Sequence, residues 1–137
     1  MNILQETMYI RHKSPAMGKK ETPSKELAEL CSKAASDKKA VNIKILDVRK
    51  LTYFCDYFVI CSGLNEPQVQ AIANGIQEKT KKKGIHCAGV EGYQNAKWIL
   101  LDYGSVVIHI FYDYVRDVYD LETLWSHAPL VNFQDKK

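Results

Sequence analysis

The chain has 137 residues, 46% of them hydrophobic and 26% charged, which suits one α/β-sized domain with a core of ordinary extent and leaves too little for a second. Its formal net charge of +3 is only mildly basic, short of what a dedicated binder of nucleic-acid backbone carries at this size. No apolar run reaches the roughly 18 residues a membrane helix needs, and the opening MNILQETMYIRHK has no basic segment followed by an apolar one, so the chain reads as cytosolic.

Residues 1–22 lack a sustained period and end in the charged, turn-forming GKKETPS, so they are expected to be a disordered extension. The folded domain is expected over 23–130, with a short tail over 131–137. Thr22 can cap a first helix with Pro23 at its first position. Leu27, Leu30, Cys31, Ala34 and Ala35 then follow at helical spacing, to about Ser36. In VNIKILDV, Val41, Ile43 and Ile45 alternate with Asn42 and Lys44, the pattern of a half-buried strand. DYFVICS is apolar on both faces and is expected to lie centrally in the sheet. Asn65 with Gln68 resembles a capping box, and Val69, Ile72, Ala73 and Ile76 supply the buried stripe of a second helix. Lys79 and Lys81 to Lys83 load its last turn before Gly84 stops it. The helix dipole gives that lysine run a structural reading, with an RNA contact as the alternative. The cysteines at 31, 55, 61 and 87 show no CxxC pair and no zinc spacing, and are read as free buried thiols.

WILLDYGSVVIHIFYD reads as a hairpin turning at Gly104 and Ser105. Tyr103 then faces Val106, Leu101 faces Ile108 and Ile99 faces Ile110 on a wholly apolar side. The other side pairs Asp102 with Val107, Leu100 with His109 and Trp98 with Phe111. This mixed face is expected to be a protein-binding surface, with Asp102 an exposed hydrogen-bond acceptor and His109 an orienting group; the bland alternative is a face covered by helices. A hydrolase would need a nucleophile beside His109 and Asp102, and Ser105 in the turn has no oxyanion donors marked around it. Next, Asp113 is expected to cap a final helix in which Tyr114, Val118, Leu121 and Trp125 share a face until Pro129, with Arg116 paired to Asp113 and Asp120.

Together EGYQNAKWILLDYGSVVIHIF, RDVYDLETLW, DYFVICSG and QVQAIANGI resemble the ribosomal silencing factor family, also called Iojap-like proteins, over nearly all of residues 24–129. The resemblance implies a mixed α/β sheet with packed helices, similar to nucleotidyltransferases but without their catalytic carboxylates. Ser62-Gly63 is followed by no Asp-x-Asp on the next strand, and neither metal nor cofactor is expected. It further implies a non-enzymatic role. Family members dock on the large ribosomal subunit through its fourteenth large-subunit protein, obstruct subunit joining and lower translation when nutrients are short. The residues implied in partner binding are Trp98, Leu100, Asp102, Tyr103, His109, Phe111, Arg116, Tyr119 and Glu122. No membrane and no sequence-specific nucleic acid are implied, and a homodimer of the free chain is left open. The alternative is an enzyme of nucleotidyltransferase or hydrolase type using His109 and Asp102. Leu64 to Pro67 and Ser105 depart from the family pattern, which touches only contacts made by those two loops.

Overall fold

The computed structural model describes residues 23–133. In chain order the elements are α1 (Ser24–Asp37), β1 (Val41–Asp47), β2 (Tyr57–Gly63), α2 (Glu66–Lys82), β3 (Gly89–Glu91), β4 (Trp98–Asp102), β5 (Val106–Tyr112), α3 (Asp113–Tyr119), α4 (Leu121–Leu124) and β6 (Leu130–Val131). The strands form one six-stranded sheet in the order β3-β4-β5-β2-β1-β6. Only β2 and β5 run parallel; the other neighbours are antiparallel. The sheet is therefore mixed, with helices packed on it, as the sequence suggested.

Helices α1 and α2 cover one face. Leu27, Ala28, Cys31, Val69, Ile72 and Ile76 pack there on Val59, Ile99, Leu101, Ile108 and Ile110. On the other face Val115, Leu121, Trp125 and Ala128 cover Phe58, Ile60, Leu100, Val107 and Phe111. Strand β2 is buried at every position, which explains why it reads as apolar throughout. In β1 the pairing slips between Val41 and Lys44, at Asn42 with its φ of 51°, a bulge that the alternation alone does not reveal.

Helix α2 starts as its sequence suggests. The Asn65 side chain accepts from the Gln68 N–H at 2.8 Å, and the Gln68 side chain accepts from the Leu64 N–H at 2.7 Å. Its end is Gly84, with φ +76°. Helix α1 begins one residue later than expected, with Pro23 at the N-cap; the expected cap, Thr22, lies outside the described residues, as do the extension over 1–22 and the last four residues of the tail. The hairpin forms in the anticipated register, pair by pair from Trp98 opposite Phe111 to Asp102 opposite Val107, and the Tyr103 N–H donates to the Val106 carbonyl at 2.9 Å. Gly104 takes φ +81°, the positive value that a two-residue turn demands.

The final helix differs from its expectation. It breaks at Asp120, whose φ and ψ of 48° are left-handed, so α3 and α4 are two short pieces. A single straight helix would have placed Tyr114, Val118, Leu121 and Trp125 on one buried face. The elbow instead buries Val115, Arg116, Leu121 and Trp125 and turns Tyr114 and Val118 to solvent, 58% and 73% exposed. Tyr112 stands at the N-cap, and Asp113 makes no capping bond.

Candidate functional site

The hairpin and the elbow meet on the sheet face opposite α1 and α2. Most of the expected mixed surface is core. Leu100, Asp102, His109 and Phe111 are all 3% exposed or less, on the side over which Val115, Leu121, Trp125 and Ala128 pack. The expectation of an exposed Asp102 is therefore corrected. Its carboxylate turns back and accepts from the Gly104 N–H at 2.8 Å, stabilising the hairpin turn. The covered-face alternative holds for the centre of the sheet, and what remains open is its rim.

Trp98 is half-buried on that rim. Its ring lies 4.7 Å from Tyr119 and 4.9 Å from Phe111, measured between centroids, and its indole N–H donates to His109 Nδ1 at 3.2 Å. Because Nδ1 accepts, the proton of neutral His109 sits on Nε2, which finds no partner in the buried site. Phe58 meets the imidazole edge-on at 4.9 Å. Burial pushes the His109 pKa down to about 3, so the ring stays neutral and orients Trp98. Nothing gives a substrate access to it. An enzyme that uses His109 with Asp102 finds both groups shut inside the core, and Asp102 committed to the turn.

Tyr119 is 59% exposed and ends α3 just before the elbow. The elbow is fixed from beneath by Arg116, which is 5% exposed. Its Nε donates to Glu122 Oε1 at 2.8 Å and its Nη1 to Ser62 Oγ at 2.9 Å, joining α3 to α4 and β2. The expected pairs to Asp113 and Asp120 do not form, since a buried guanidinium must use the acceptors its pocket supplies. Lys44 approaches the same Glu122 at 2.8 Å, and the hydrogen bond from Arg116, helped by Lys44, holds that carboxyl below its usual range. Tyr103 is only partly covered and shares a 2.8 Å hydrogen bond with Thr80 on α2; burial raises its phenol pKa. It belongs to the other face and is not part of the rim cluster.

Thus Trp98, Tyr119 and Glu122 lie at the surface of one cluster, Leu100, His109, Phe111 and Arg116 lie beneath it, and Asp102 and Tyr103 sit away at the turn. The expected residues missed Ser62, the buried partner of Arg116, and the exposed Tyr114 and Val118. A left-handed break at Asp120 was the signal that would have exposed those two. Aspartate tolerates that conformation, but it marks a break far less plainly than glycine does.

Cys31, Cys55 and Cys61 are free and buried, as read; Cys87 is half-buried and its thiol donates to the Gly89 carbonyl at 3.1 Å. Burial raises the pKa of Cys61 to about 12 and pushes Cys31 and Cys55 up as well, which keeps all three as unreactive thiols. Among the described residues no three His, Cys, Asp or Glu side chains gather to hold a metal ion, and no helix is long and apolar enough to cross a membrane.

Known proteins resemble this chain in sequence and fold. The profile of the family described as "Ribosomal silencing factor during starvation" matches residues 21–137. The ribosomal silencing factor RsfS of Bacillus subtilis is 40% identical over 108 residues, 79% of this chain and 92% of that one. The chloroplastic protein Iojap of Arabidopsis thaliana is 36% identical over 77% of this chain and 44% of its own length. A crystal structure of a Chromobacterium violaceum protein superposes with a TM-score of 0.75 at 34% identity, covering 85% of this chain and 92% of that one. The chain belongs to the ribosomal silencing factor family.

Proposed function

We propose that this chain acts in the cytoplasm by occupancy and without a catalytic step. It docks on the large ribosomal subunit through the fourteenth large-subunit protein, obstructs joining of the small subunit and so represses translation when nutrients are short. The observation that carries this reading is the aromatic pair of half-buried Trp98 and exposed Tyr119, held 4.7 Å apart on a rigid support. Large amphipathic rings fixed in place bring contact area at little entropic cost. Tyr114 and Val118 extend the apolar area along α3. Residues 113–122 carry Asp113, Asp117, Asp120 and Glu122 against the single cation Arg116, a sign that suits a basic ribosomal protein. Leu100, His109, Phe111 and Arg116 serve as the support, and the same apolar strip offers the free chain a homodimer contact.

The test is sedimentation with separated ribosomal subunits, followed by titration of the isolated ribosomal protein with Trp98→Ala and Tyr119→Ala. Co-sedimentation with the large subunit alone is expected, and each variant should weaken binding by about 2 kcal/mol, roughly thirtyfold. Two folded variants that bind like the parent would remove this rim as the contact.

A further inference from the structure

The lysines of α1 and α2 form a second charged surface, on the sheet face away from the Trp98–Tyr119 rim. Asp37, at the end of α1, is bridged by Lys33 at 2.7 Å and by Lys79 of α2 at 3.3 Å. The stem of Lys38 lies across Gly75, where a Cβ would sit 2.7 Å from Lys38 Cγ and 2.8 Å from its Cε, so its ammonium is held over α2. Lys82 and Lys83 follow Lys79 by three and four residues, on the same side of the helix. Two ammonium groups, one from each helix, thus meet one carboxylate, and Lys38, Lys82 and Lys83 lie next to them in sequence or helix spacing. Lys38, Lys82 and Lys83 make no ion pair among the described residues.

Helix stability does not account for this crowding. One or two cations in the last turn meet the dipole, whereas further lysines three and four residues apart repel one another. A negative partner offsets that repulsion. No large apolar side chain is exposed on α1 or α2, so the surface lacks the anchor that a membrane-binding helix inserts.

We propose that Lys33, Lys38, Lys79, Lys82 and Lys83 form a phosphate-backbone contact for RNA, read without regard to base sequence. Point charges on flexible stems suit phosphates, and base edges would need planar donors that this surface lacks. On a ribosome-bound chain the contact would add RNA to the protein contact made by the opposite face, and it stands without that contact when the chain meets RNA alone.

Fluorescence anisotropy of labelled duplex RNA of arbitrary sequence tests it, comparing the full parent chain with Lys38→Gln/Lys82→Gln/Lys83→Gln, which spares both cations on Asp37. The parent should bind, with log affinity falling steeply against log salt. The triple variant should bind about tenfold more weakly at moderate salt, with a slope shallower by roughly 2 to 3, and should melt like the parent. Its affinity for the isolated ribosomal protein should stay unchanged while its affinity for the whole large subunit falls. A parent that leaves RNA unbound at low salt, or a triple variant with the parental slope, overturns the proposal. Tighter binding to phosphatidylserine-containing vesicles than to RNA overturns it in favour of a membrane partner. Loss of binding to the ribosomal protein in Trp98→Ala alone tests the other face and leaves this one standing.

Discussion

Changing His109 to leucine isolates the effect of one buried titratable group. The imidazole is fully buried with a pKa near 3, against an ordinary 6.5 in the unfolded chain. Between those values the unfolded chain binds a proton that the folded chain refuses. Stability from keeping the ring neutral is therefore complete above about pH 6.5 and is lost as pH falls toward 3. Worked at pH 4.5, two pH units below the unfolded value, the loss is about 3 kcal/mol relative to pH 7. Leucine has nearly the volume of histidine and titrates nowhere. At pH 7 the substitution removes the unpartnered Nε2–H, a gain, together with the Trp98 hydrogen bond and the contact with Phe58, a loss, so the two proteins should be close in stability. At pH 4.5 the variant should be more stable by about 3 kcal/mol, or roughly 10 °C in melting temperature. Urea denaturation followed by circular dichroism at the two pH values measures this directly. Acidic residues titrate in both proteins and cancel in the difference. Parallel stability profiles from pH 7 to 4.5 would show that His109 is hydrated or paired in solution, and would refute the reasoning.

Further substitutions probe the buried arginine and the glycines of the turns. Arg116→Met keeps the stem but orphans the Ser62 hydroxyl and leaves Glu122 to Lys44 alone; it should cost about 2–4 kcal/mol, whereas in a Ser62→Ala background the added cost should shrink, since both changes break one bond. Full additivity in denaturant titrations would argue against the bond. Gly92→Ala should destabilise by more than about 2 kcal/mol, because its Cβ would lie 2.2 Å from the Trp98 carbonyl at a φ of +77°, while Gly84→Ala, with open space around it, should cost about 1 kcal/mol. Equal losses in melting temperature would contradict the clash.

The features that local pattern decides were legible in the sequence. Strand β2 declares itself by burial on both faces, α2 by its Asn65–Gln68 cap, and the hairpin by Gly104-Ser105 between two period-2 runs, whose register follows once the turn length is set. The fate of the mixed face was not legible, because it depends on Trp125 and Leu121 returning over Phe58 and Leu100 from far along the chain. Alternation says that two faces exist; it does not say what covers them. The same limit applies to Arg116. Charge spacing along a helix suggests partners three or four residues away, yet the elbow carries the guanidinium inward to Ser62, 54 residues distant in sequence. In sequence, Trp98 falls on the hairpin and Tyr119 on the final helix, as separate candidate surfaces; their 4.7 Å contact depends on an elbow that no glycine announces.

The elbow and the histidine point to one physical design. Asp120 holds a left-handed backbone without being glycine, and His109 keeps a polar hydrogen buried without an acceptor; each costs about 1–3 kcal/mol. Such costs persist only where the surroundings impose them, and here the surroundings are the parts that fix the rim rings, half-buried Trp98 and exposed Tyr119. His109 holds the indole of Trp98 from behind, and Arg116, anchored to β2 and α4, sets the turn from which Tyr119 projects. A surface ring free to rotate would lose conformational entropy on binding, whereas a ring already fixed loses little. The strain stored at these two positions is thus matched to the rigid edge proposed as the binding surface. A polar core that served packing alone would gain stability from an apolar residue at 109 and a glycine at 120, with nothing lost at the surface.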